Sequence, residues 1–121
     1  MNRVQQCYEQ AGGDYAAALE AYRDDSRIRR FVIRLAGDPS YRDLGAAMEA
    51  EDTEHAFRAA HSLKGVAMTL RMTALYVAAS AVTEALRASD RERAMEDMPA
   101  LESAYERTME AVRDLAAEPQ K

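Results

Sequence analysis

Residues 52–72, DTEHAFRAAHSLKGVAMTLRM, read as one amphipathic helix with an unusual outer face. An α-helix turns about 100° per residue. On that geometry Ala56, Ala59, Ala60, Leu63, Val66, Ala67 and Leu70 share one arc, the side expected to be buried. Glu54, Phe57, His61, Lys64, Gly65, Met68 and Met72 fall opposite. Asp52 and Thr53 are placed to cap the N-terminus. A glycine inside a helix costs about 1 kcal/mol relative to alanine, so Gly65 calls for a reason.

Outward from this stretch the chain has the same character. Gly12 and Gly13 end a short N-terminal segment, and Asp14 can cap a second one, DYAAALEAYR. Ser26 is expected to start SRIRRFVIRLA, where Ile28, Phe31, Val32 and Leu35 lie on one face and Arg27, Arg29, Arg30 and Arg34 form a solvated one. The run GDPS interrupts it. Asp38 then reads as an N-cap with Pro39 at the first helical position, and a kinked continuation of the preceding helix is the alternative. A helix over about 73–88 carries Leu75, Ala78, Val82 and Ala85 or Leu86 in its stripe. Ser89 and Glu92 have capping-box spacing, and the last helix repeats Met98, Leu101, Tyr105, Thr108, Val112 and Leu115 in steps of three and four. Short links between long amphipathic helices make neighbours antiparallel. The expected fold is all-α, an up-and-down four-helix bundle with short additional N-terminal helices. One domain is expected over 1–121, with the bundle over about 26–116 and a frayed tail at 117–121.

Composition narrows the functional classes. A net charge of −5 argues against nucleic acid as a partner, because phosphate backbones attract basic surfaces. The longest apolar run, near ALYVAASAV, is far shorter than the ~20 residues of a membrane span, and MNRVQQCYEQ lacks the apolar centre of a signal peptide. The lone Cys7 cannot form an internal disulfide. A cytoplasmic chain, expected to be a monomer, fits these features. There is no Walker loop and no G-x-G-x-x-G, so no nucleotide site is expected. His55 and His61 are six apart and miss the i, i+4 spacing of helical metal pairs, so no metal site is expected. His55 sits about 120° round from His61 and reads as a surface residue.

His61 has different company. Lys64, one turn on, can reach an anion attached to the imidazole but would disfavour an imidazolium. Gly65 leaves a flat spot where another molecule can approach. A neutral imidazole has a nucleophilic lone pair, and the phosphoramidate it would form carries negative charge that a lysine stabilises. Histidine, cation and gap together point to a phosphoryl acceptor served by a second protein. Phe57 and Met68, large apolar groups off the core face, are candidates for docking that protein, unless they pack under the N-terminal helices.

The segment AAHSLKGVAMTL resembles the signature of the histidine-containing phosphotransfer domains of two-component phosphorelays, and the likeness extends more loosely over most of the chain. The resemblance implies phosphorylation at His61, phosphoryl stabilisation by Lys64, and room for a receiver domain at Gly65; Phe57, Met68, Arg58 and Ser62 are expected to join Gly65 in the partner contact. It implies a carrier between a sensor or hybrid histidine kinase and a response-regulator receiver, not an autonomous enzyme. No cofactor of its own is expected, and Mg²⁺ would come with the receiver. One departure stands out: the family commonly has glycine where this chain has Arg71, which could alter the helix end or partner choice. Two other readings fit the same residues, a helical adaptor that docks without phosphoryl traffic and the detached substrate domain of a kinase.

Overall fold

A computed structural model describes residues 1–118. Among them are seven α-helices: α1 (Arg3–Ala11), α2 (Tyr15–Tyr22), α3 (Asp25–Arg34), α4 (Ser40–Glu49), α5 (Thr53–Leu70), α6 (Thr73–Arg87) and α7 (Arg91–Ala117). A single 3₁₀ turn, Leu35–Gly37, separates α3 from α4. Helices α4 to α7 run antiparallel in sequence, with α5 packed between α4 and α6, and α6 between α5 and α7. Tyr41 stacks on Tyr105 at 3.9 Å, and Arg91 donates to the Met48 carbonyl at 3.2 Å, which brings α4 against α7 and closes the bundle. α3 leans on α7, and α1 lies along it. The expected all-α bundle with short N-terminal helices is the architecture observed.

Apolar periodicity explains the core. Ile28 and Val32 face inward from α3 and Leu35 from the 3₁₀ turn, whereas Phe31 is only half-buried. In α7 Leu101, Thr108, Val112 and Leu115 are buried. Thr108 and Thr83 satisfy their hydroxyls by donating to the carbonyls of Ala104 and Ala79, one turn back, so neither leaves a buried polar orphan. Pro99 lies inside α7 but is exposed, so the Met95 carbonyl that loses its N–H partner can turn to water.

Several expected boundaries move. Asp24, not Ser26, caps α3, its carboxylate accepting from the Ser26 N–H at 3.0 Å. Pro39 stands at the N-cap of α4 and not at its first helical position, with the Asp38 carboxylate accepting from the Ser40 N–H at 2.9 Å, so the chain breaks at GDPS and restarts. Asp90, not Ser89, caps α7 through the Arg93 N–H at 3.1 Å. Ser89 has φ +58° and closes α6, as the Asp90 N–H reaches back to the Ala85 carbonyl at 2.9 Å. Met72 lies past the end of α5 and is fully buried, not on the outer face. The basic residues of α3 are not simply a solvated face. Arg29 donates to the carbonyls of Leu115 and Glu118, at 3.3 and 2.7 Å, where the dipole of α7 favours a cation. Residues 117 and 118 of the expected tail are thereby held; 119–121 lie outside the described residues.

Two predictions follow from this packing. Left-handed backbone is unfavourable for any L-residue with a Cβ, so Ser89→Gly should raise unfolding free energy by about 0.5–1 kcal/mol even after the looser unfolded chain is allowed for. Urea denaturation should show that gain, with none from Ser89→Ala. Cys7 is buried, and burial followed by the nearby Asp114 carboxylate pushes its thiol up to about 11. Because thiolate is the reactive form, the folded protein should resist a thiol-specific disulfide reagent at pH 8, and labelling within seconds in the absence of denaturant would contradict the buried placement.

Candidate functional site

The helix that carries His61 is fixed at both ends. At its N-terminus the Asp52 carboxylate accepts from the His55 N–H at 3.2 Å and also pairs with the His55 ring at 2.5 Å. These two bonds, the backbone one foremost, hold the Asp52 carboxyl below its ordinary range. His55 is accordingly an exposed capping partner. At the C-terminus Arg71 adopts φ +60°, and the Met72 N–H returns to the Ala67 carbonyl at 2.9 Å. Here the left-handed conformation favours glycine, and Arg71 takes it with its own side chain donating to the Met68 carbonyl at 2.7 Å. Tyr22 donates to the Thr69 carbonyl and Tyr8 to that of Leu70, each at 2.7 Å. The N-terminal helices thus supply donors for carbonyls that a helix end would otherwise leave open.

Between those ends Ala56, Ala60, Leu63, Ala67 and Leu70 are buried, while Ala59 and Val66 are half-buried at the edges of the strip. His61 is exposed on the other side. Its ring lies nearly parallel to that of Phe57, with centroids 5.8 Å apart and 19° between planes. Phe57 does not pack under the N-terminal helices. The Arg87 guanidinium of α6 lies over it, 5.0 Å from the centroid. Arg87 pairs with Glu84 at 3.2 Å, and the other Glu84 oxygen is 3.8 Å from the Lys64 ammonium. Phe57, Arg87, Glu84 and Lys64 are therefore linked in a chain along the α6 side of the face that carries His61.

On its other flank His61 opens into a groove of about 690 Å³, with Tyr22, Phe31, Arg34 and Leu35 on one wall and Gly65, Met68 and Thr69 on the other. Met68 is 54% exposed at its rim. A Cβ built on Gly65 would meet nothing within 4 Å. Nothing inside the molecule therefore requires glycine there. Arg58 and Ser62 are exposed and border a second depression, shared with α4, that also contains Asp43 and Asp52; Arg58 is paired with Glu54, one turn back. The sequence-predicted residues His61, Lys64, Gly65, Phe57, Met68, Arg58 and Ser62 thus occupy one continuous outer face. Sequence reasoning did not find Glu84, Arg87, Tyr22 or Phe31 as members of this neighbourhood. The i, i+3 spacing of Glu84 and Arg87 was visible, but only the register of α6 beside α5 brings the pair to Lys64.

An outward imidazole beside a cation, with open space next to it, can accept an electrophile brought by another molecule. A family model described as Hpt domain matches residues 17–115, from within α2 to near the end of α7. No curated protein and no solved structure matches the chain.

Since alanine is the better helix former and meets no obstacle at this position, Gly65→Ala should raise unfolding free energy by about 1 kcal/mol. Gly45 on α4 is equally unobstructed, so Gly45→Ala should give a similar gain. Urea midpoints of the two variants check both, and a loss of stability in Gly65→Ala would mean that packing requires the glycine after all.

Proposed function

The chain belongs to the Hpt domain family, and on that premise we propose that it carries a phosphoryl group on His61 between a sensor or hybrid kinase, or its receiver, and a response-regulator receiver. Hpt domains serve phosphotransfer in two-component phosphorelays, where they meet kinases and response regulators as phosphocarrier modules. The observation that carries the assignment to His61 is its place at the centre of the outer face, with Lys64 one turn on and Gly65 unobstructed.

In the transfer, a lone pair on a His61 ring nitrogen attacks phosphorus of the partner's aspartyl phosphate. The new P–N bond forms as the P–O bond breaks, the electron pair leaves with the aspartate carboxylate, and the second ring nitrogen keeps its proton. Lys64 offsets the charge of the bound phosphoryl group. Phosphoryl transfer depends mainly on positioning and charge neutralisation, and here the partner supplies Mg²⁺ while this chain supplies the acceptor. Gly65 gives the partner room to reach the ring, and Phe57, Met68, Arg58 and Ser62 form the surrounding contact. No helix among the described residues is long and apolar enough to cross a membrane, and a cytoplasmic monomer fits the role.

The test is transfer from a radiolabelled phospho-receiver or an active hybrid kinase. Wild type should take up acid-labile, base-stable label, His61→Gln none, and Lys64→Ala should load at least about tenfold more slowly, as expected for losing a charge contact made during transfer. Label surviving in His61→Gln refutes the site. Absence of label from wild type with several competent donors favours the adaptor.

A further inference from the structure

Lys64 is not a free cation waiting for an anion. Its side chain is only 22% exposed, and its ammonium lies 3.8 Å from Glu84 on the adjacent helix. The same carboxylate holds Arg87 at 3.2 Å, and Arg87 covers the face of Phe57, whose ring lies along that of His61. One carboxylate thus engages both cations on the α6 side of the imidazole. A phosphoryl group on His61 would bring negative charge to this neighbourhood and would compete with Glu84 for Lys64. We propose that Glu84 is a positioning residue that sets how strongly His61 retains a phosphoryl group, by competing with that group for Lys64. The proposal rests on phosphorylation of His61.

The electrostatics give the direction. With Glu84 present, stabilising the phosphoryl group requires Lys64 to leave an existing partner, so phosphohistidine lies higher in free energy than it would beside an unpaired lysine. Glu84 is half-exposed and the 3.8 Å separation is long, and ion pairs that water reaches are weak enough to open. A carrier gains from this arrangement. If Lys64 bound the phosphoryl group at full strength, loading would be favoured and delivery to the next aspartate would be opposed. Glu84 brings the two directions closer to balance.

The experiment measures the equilibrium without any protein partner. N-phosphoimidazole and the protein exchange a phosphoryl group directly: the P–N bond to free imidazole breaks as the P–N bond to His61 forms, and free imidazole is released. The His55→Gln background restricts loading to His61, and ³¹P NMR reads the partition. Glu84→Gln should shift the equilibrium constant toward His61 by about two- to fivefold, the range expected of an exposed ion pair. In Lys64→Ala the same Glu84 substitution should shift it by less than half as much on a logarithmic scale. An unchanged constant in Glu84→Gln overturns the proposal, and so does an equal shift with and without Lys64, which would mark a direct repulsion instead. Glu84 is 54% exposed, so both variants should fold, and coincident thermal unfolding curves check this. Because loading is chemical, failure of a receiver to donate to His61 would refute the relay assignment without touching this measurement.

Discussion

The close packing of α5 between its neighbours, along a strip of small side chains, fixes everything on its outer face. Ala56, Ala60 and Ala67 are fully buried, with Leu63 and Leu70 filling the space between them. Alanines let helix axes approach, and close packing leaves little freedom to rotate, since turning α5 would put exposed polar groups into the core. With about 100° per residue, burying that strip determines where His61, Lys64, Gly65 and Met68 point. The imidazole faces outward because the alanines face inward.

A helix held this way also needs its ends closed, and all three connections between α4 and α7 use residues other than glycine. Glu51, Arg71 and Ser89 all have φ near +60°, and each is followed by an N–H that reaches back into the preceding helix. The strain is accepted where the turn must be short. At Arg71 it is offset by the residue's own guanidinium on the Met68 carbonyl and by Tyr8 and Tyr22 on the two carbonyls beyond. Gly13 completes this junction, because a Cβ there would lie 2.9 Å from the Tyr8 ring and 3.1 Å from the Arg71 carbonyl oxygen. α1 lies outside the region matched by the family model, yet its Tyr8 secures the end of the histidine helix. Arg71 thus closes the helix end without a glycine.

These junctions explain what could be read from the chain and what could not. Helix identity followed from periodicity, since Ile28, Val32, Leu63, Val82, Leu101 and Val112 recur at helical intervals and all are buried. Boundaries were less visible where Ser89, with its capping-box spacing, instead closes α6, or where an aspartate one or two places earlier or later took the cap from a serine. Met72 was placed outward by continuing a helix that ends at Leu70. The outer face of α5 needed only one helix, and apart from Met72 its positions were legible. Glu84, Arg87, Tyr22 and Phe31 come from other helices, and no spacing within one element encodes their approach to His61.

The outer face differs from the core in how its charges are held. Lys64 with Glu84, Arg87 with Glu84, and Arg58 with Glu54 are pairs at or near the surface. Such pairs contribute about 0–1 kcal/mol each, so each can be exchanged for a contact with a visiting molecule at small cost to the fold. The core offers no comparable slack, because removing one buried leucine costs about 2–5 kcal/mol. A face built on replaceable contacts over a rigid base can form and release complexes without unfolding. Gly65 belongs to the same division of labour: its helical cost falls on the outer face, where the alanine strip beneath α5 can bear it.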